Sequence, residues 1–166
     1  MAKTETEVLK VKSRFLSFFL NDEEFAVDIL RVREIIPYDT ITTLPNSPPY
    51  IRGVTNLRGS VIPVFDLAKR FDLPGAAISK RTCIVVVEAE IGQDQTILGL
   101  LVDAVSQVRE FTPDQVDPPP SFGASLQADF LRGMGKVGSK FVMLLNLDAI
   151  LLKSQNPILE SHANAG

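Results

Sequence analysis

The sequence predicts an all-β chain built as two small barrels or sandwiches, and two observations carry that prediction. Short apolar strands, many alternating at every second position, are separated by Gly, Pro, Asn and Asp turn signals along most of the 166 residues. The pattern of the first half then recurs in the second, which is how a fold of two related units is written.

The elements follow in chain order. Residues 14–20 form an apolar-rich strand, Asn21-Asp22-Glu23-Glu24 a polar turn, and residues 25–29 the returning strand of a hairpin. A helical turn is expected from Leu30, ending before Pro37, which has no N–H to donate. Residues 40–44 are β-branched and read as a short strand, and Pro45-Asn46-Ser47-Pro48-Pro49 is a rigid loop. Strands over 54–57 and 61–65 flank Arg58-Gly59, where Gly59 supplies the positive φ of a tight hairpin. Pro63 points to a sheet edge or a bulge. A short amphipathic helix over 67–71 stops at Pro74-Gly75.

In the second half, strands over 82–90 and 96–102 flank the turn Gln93-Asp94-Gln95. Pro113, Pro118-Pro119-Pro120 and the small polar residues up to Ser125 mark an irregular surface stretch.

The repeat aligns Ile51-Arg52-Gly53 through Phe65-Asp66-Leu67 with Leu131-Arg132-Gly133 through Leu145-Asn146-Leu147 without a gap. Phe25, Val27, Ile29, Val32 and Ile35 have the same spacing as Leu98, Leu100, Val102, Val105 and Val108. In both sets apolar residues at every second position give way to every third, which reads as a strand running into a helical turn. The expected organisation is a flexible N-terminal segment over 1–13, one domain over 14–152 and a polar tail over 153–166. Within the domain, the first barrel draws mainly on 14–80 and the second on 81–152.

Composition narrows the function. With 45% hydrophobic and 22% charged residues the chain holds ample core material. A net charge of −3 with scattered Lys and Arg argues against a nucleic-acid surface. No apolar run approaches the roughly 20 residues needed to span a bilayer, and the charged N-terminus is unlike a signal peptide. The single Cys83 excludes an internal disulfide, suits a reducing cytoplasm and reads as a buried small hydrophobe.

No catalytic or metal-binding constellation emerges. The only histidine, His162, lies in the expected tail, and one His with one Cys falls short of a zinc set. Gly133-Met134-Gly135-Lys136-Val137-Gly138 matches G-x-G-x-x-G literally but falls in a hairpin rather than between a strand and a helix. Asp22, Glu23 and Glu24 read as solvated turn acids, and Asp66 and Asp148 as acids at helix starts. Arg58, at the hairpin tip, is either a solvated turn residue or a recognition arginine whose five donors suit a partner's carboxylate or carbonyls.

At these residues the chain resembles the CheW family of chemotaxis adaptors. The resemblance lies in Asp22-Glu23-Glu24-Phe25-Ala26-Val27-Asp28-Ile29 with Val32-Arg33-Glu34-Ile35, and in Ile51 through Gly59 followed by Val61 through Leu67. It continues in Gly99 through Val108, and covers residues 14–152. It implies two five-stranded β-barrel subdomains with a hydrophobic groove between them, no catalysis and no cofactor or metal. The implied partners are the regulatory domain of the histidine kinase CheA, the cytoplasmic tip of chemoreceptors and other CheW-like domains in rings. Nucleic acid and direct membrane insertion are not among them. The implied location is the cytoplasm, at the inner membrane face where receptors gather.

Carried over by position, the resemblance assigns Val32, Glu34, Ile35, Arg58, Val105 and Val108 to receptor or kinase coupling. Gly53 and Gly59 match interface positions and are read as serving backbone geometry. The two valine–aliphatic pairs either line a groove for an amphipathic helix or belong to the core between the halves. A small-ligand or nucleic-acid barrel is the competing class, and it would need a basic groove with exposed aromatics.

Overall fold

The computed structural model describes residues 9–39, 41–91, 93–119 and 130–153. Eleven strands form two sheets. The first half supplies β1 (Ser13–Leu20), β2 (Glu23–Asp28), β3 (Val32–Pro37), β4 (Ile51–Leu57), β5 (Ser60–Asp66) and helix α1 (Leu67–Arg70). The second supplies β6 (Cys83–Ile91), β7 (Asp94–Val102), β8 (Ala104–Phe111), β9 (Val116–Asp117), β10 (Leu131–Val137), β11 (Lys140–Leu145) and helix α2 (Leu147–Lys153). Single 3-10 turns, Ile29–Arg31 and Pro113–Gln115, precede β3 and β9.

The sheets exchange strands between the halves. One runs β8-β1-β2-β11-β10-β9 and the other β3-β6-β7-β5-β4. The expected division near residue 80 therefore does not separate the sheets: β3, β4 and β5 join β6 and β7, while β8 to β11 join β1 and β2. The joints are parallel in both sheets, β5 on β7 and β11 on β2. One sheet has the expected five strands, and the two-residue β9 brings the other to six.

Burial explains the strand composition. Alternate residues of β6 face two cores: Val85, Val87 and Ala89 the large cluster between the sheets, Ile84 and Val86 a smaller one with Ile62, Val64 and Leu101. A strand buried on both faces reads as a continuous apolar run. Cys83, at its start, is only partly buried, which modifies the expectation of a fully buried thiol. A third cluster, inside the six-stranded sheet, gathers Phe15, Phe111, Val116, Val142 and Leu144. Leu9 packs there too, so the expected flexible segment over 1–13 fails at that residue, while residues 1–8 lie outside the described ones. The expected tail beyond Lys153 and the polar stretch of 120–125 also lie outside them.

Three local expectations are corrected. No helical turn carries Val32 and Ile35, or Val105 and Val108: both pairs lie in strands, and the third-residue spacing comes from β-bulges. On β3, Val32 and Glu34 oppose the consecutive Val87 and Val86; on β8, Val108 and Val105 oppose Leu16 and Phe18. One extra residue turns a spacing of two into three. Ser17, fully buried, satisfies the bulged strand by donating to the Gln107 carbonyl (3.1 Å) and accepting from its N–H (3.3 Å).

The strand expected over 40–44 is a single bridge, Thr42 to Val54. Pro63 sits neither at an edge nor in a bulge: it faces Val54 in interior β5, just before pairing with β7 begins at Val64. Its missing N–H therefore removes no bond from that parallel ladder.

The repeat is visible in detail. Arg52 and Arg132 are the extra residues of matching bulges in the hairpins β4–β5 and β10–β11. Each reaches an acid at 3.5 Å, Asp66 and Asp28 respectively. The N–H groups of Asp66 and Asn146 donate at 2.7 Å to the carbonyls of Tyr50 and Phe130, the residues preceding β4 and β10. Asp66 caps α1 as expected, accepting from the Lys69 N–H. In α2 the capping oxygen belongs instead to Asn146, which accepts from the Ala149 N–H. Asp148 lies within the first turn and pairs with Arg31 at 3.1 Å.

Candidate functional site

The hairpin β4–β5 fixes one functional side chain. Leu57 faces Ser60, leaving Arg58 and Gly59 as a two-residue turn with φ of 52° and 89°. Two positive φ values make a type I′ turn, whose twist matches the flanking strands. Asn56 Oδ1 accepts the Gly59 N–H at 2.9 Å and locks the turn. Gly59 has open space where a Cβ would stand, so its requirement is conformational.

From this tip Arg58 Nη2 donates to Glu34 Oε1 at 2.6 Å. Glu34 lies on β3, one edge of the five-stranded sheet, and the hairpin includes β4, the other edge. The ion pair therefore spans the sheet's two ends and reports its curl. The Arg58 side chain is 75% exposed and Glu34 only 23%, so the pair presents its cationic end outward. Beside it, Ile36, Pro37, Val54, Leu57, Val61 and Ile84 line a depression of about 430 Å³.

Gly53 serves a different purpose. Thr42 and Val54 exchange backbone hydrogen bonds of 2.9 and 2.8 Å, laying the chain against β4. A Cβ on Gly53 would collide with the Thr42 carbonyl oxygen, a backbone atom that cannot swing aside.

The four aliphatic candidates divide into two pairs. Val32 and Val105 are half-buried and pack against the same cluster between the sheets. Ile35 and Val108 are 45% and 52% exposed on β3 and β8, each the edge strand of its sheet. The inner pair anchors the edge strands and the outer pair leaves apolar surface available.

Three other ionisable groups respond to their surroundings. Glu24, expected to be solvated, is instead held in a two-bond clasp by Arg109, at 2.6 and 3.2 Å. Burial pushes its pKa up, but hydrogen bonds from Arg109 and Ser17 and the nearby positive charges outweigh that and leave it lowered. Burial raises the Cys83 thiol, with a Val105 backbone bond opposing, so the thiolate is disfavoured at neutral pH. Thr112, by its hydrogen bond, lowers the exposed Asp114.

Among the described residues no group of three His, Cys, Asp or Glu is placed to hold a metal, and no helix is long and apolar enough to cross a membrane. His162 lies outside the described residues. Sequence reasoning missed the Glu24–Arg109 clasp and the surroundings of Arg70, because neither has a signal at short range.

Comparison with known proteins adds a family. A profile described as CheW-like domain matches residues 14–155. The chain is 34% identical over 155 residues to the chemotaxis protein CheW of Klebsiella aerogenes, covering 93% of this chain and 91% of that one. It is 29% identical over 142 residues to protein FrzA of Myxococcus xanthus, covering 84% and 86%. The crystal structure of the scaffolding protein TtCheW from Thermoanaerobacter tengcongensis superposes with a TM-score of 0.73 at 33% identity, covering 83% of this chain and 91% of that one.

Proposed function

The chain belongs to the CheW-like family, and from that premise we propose that it is a non-catalytic chemotaxis adaptor coupling chemoreceptors to the histidine kinase CheA, and so controlling motility. The Glu34–Arg58 pair is the observation that carries this reading. It holds an outward-facing guanidinium at 2.6 Å from its carboxylate on a rigid turn, with no acid–base machinery around it. Such an arginine keeps donors free for a partner's carboxylate or carbonyl groups.

The site comprises Glu34 and Arg58 with Val32, Ile35, Val105 and Val108. Ile35 and Val108 supply exposed apolar contact, and Val32 and Val105 keep the two edge strands in place beneath them. An amphipathic helix, such as the cytoplasmic tip of a receptor, suits a surface of this kind. Gly53 and Gly59 set the backbone on which Arg58 stands. Two related units offer one docking surface each, and multivalency in an array strengthens contacts that are individually weak. The working location is the cytoplasm, at the inner membrane face beside the receptors.

The test is a pull-down of the full chain with the CheA regulatory domain and with receptor-tip fragments. Capture by both is expected, and capture by neither overturns the adaptor reading.

A further inference from the structure

We propose that Arg70 is a docking residue for a carboxylate carried by a partner protein, held ready between two aromatic rings at the junction of the repeats. Arg70 ends α1, in the first half. Its guanidinium carbon lies 5.3 Å from the ring centre of Tyr50 and 4.7 Å from that of Phe130. Those two residues are equivalent positions of the two copies, each preceding its hairpin, so this one side chain bridges the halves.

What sets Arg70 apart is its lack of an acid. Arg31, Arg52, Arg109 and Arg132, half-buried like it, each have a carboxylate within 3.5 Å. Among the described residues Arg70 has none. Its Nε is buried and donates to nothing. Burial lowers the pKa of its guanidinium, with Tyr50 opposing.

Cation–π contact offsets part of that desolvation, but it leaves the N–H donors unused. A guanidinium already fixed by two rings loses little further side-chain freedom on meeting a carboxylate, and aromatic-flanked arginines are the residues that dominate protein interfaces. The complementary group is therefore an Asp or Glu side chain on a partner's surface. The site is separate from Glu34 and Arg58, which already satisfy one another.

The inference rests on the adaptor reading for the nature of its occupant. Dissociation constants of the full chain, its Arg70→Met variant and its Arg70→Lys variant are measured for the CheA regulatory domain and the receptor-tip fragment, at low and high salt. Arg70→Met keeps length and packing but removes the charge. It is expected to weaken one of the two complexes by about tenfold, flatten that complex's salt dependence and leave Tm unchanged. Arg70→Lys is expected to retain the salt dependence with only part of the affinity.

Wild-type affinity of Arg70→Met for both partners overturns the proposal alone. So does a parallel loss of both affinities with a fallen Tm and an unaltered salt dependence, which marks a mere clamp between the halves. Failure of the wild-type chain to bind either partner overturns the adaptor reading, and the proposal with it.

Discussion

Glu34 Oε1 and Arg58 Nη2 stand 2.6 Å apart although their strands lie at opposite ends of the five-stranded sheet. One is a strand residue half-sheltered from water and the other a turn residue largely in it. Such a pair contributes about 0.2–1 kcal/mol to stability, so its chief effect is to orient the guanidinium.

Arg58→Ala is therefore expected to fold normally, with Tm lowered by no more than a few degrees, while receptor-dependent activation of CheA falls. Thermal melts and a reconstituted phosphorylation assay check both halves. Normal activation by the folded variant removes Arg58 from the site.

The aliphatic candidates separate surface from core. Val108→Ser changes an exposed side chain and is expected to alter stability by less than about 0.5 kcal/mol while weakening receptor-tip binding. Val105→Ala empties packed volume and is expected to cost about 1–2 kcal/mol. Urea unfolding of each, beside binding measurements, distinguishes the two roles.

Gly53 and Gly59 fail differently when given a Cβ. Gly53→Ala drives a methyl into the Thr42 carbonyl and is expected to cost more than about 2 kcal/mol. Gly59→Ala meets open space and pays only for the left-handed conformation, about 1–2 kcal/mol. Equal losses in denaturant titration contradict this assignment.

Gly135 makes room for the Phe111 ring inside the six-stranded sheet, since a Cβ there would lie 2.5 Å from the ring's outer carbon. Gly135→Ala is expected to destabilise the fold, and Gly135→Ala with Phe111→Leu to be more stable than the sum of the single changes by about 1 kcal/mol or more. A double-mutant cycle measures the coupling.

The Glu24 carboxyl is lowered on folding, chiefly because Arg109 and Ser17 overcome its burial. Its contribution is present above the unfolded pKa of about 4.3 and is lost as pH falls through the lower folded value. Stability of the wild-type chain is expected to decline more steeply below pH 4.5 than that of Glu24→Gln. Parallel acid-unfolding curves contradict this.

Much of the site was legible at short range. Arg58-Gly59 between apolar strands announced its hairpin because positive φ in a two-residue turn is a local demand, and Asp66 announced the start of α1 because capping spans three residues. The edge strands were misread for an equally physical reason. A bulge and a helical turn both place apolar residues three apart, and only the pairing of Val32 and Glu34 with Val87 and Val86 tells them apart. Glu24 looked solvated because Arg109, distant in sequence, comes alongside only through the β1–β8 pairing that places Arg109 opposite Phe15.

The sequence by itself determined the repeat, the hairpins with their turn residues, the two bulge arginines and the family. Those are written in spacings of two to a few tens of residues, within which propensity and periodicity act. Tertiary structure alone decided that β3 to β5 cross to β6 and β7, that Glu34 meets Arg58, and that Arg70 lies between Tyr50 and Phe130 without an acid. Each depends on which distant strand a given edge pairs with. That choice follows from burying both faces of β6 and β7 at once, which no single stretch of sequence encodes.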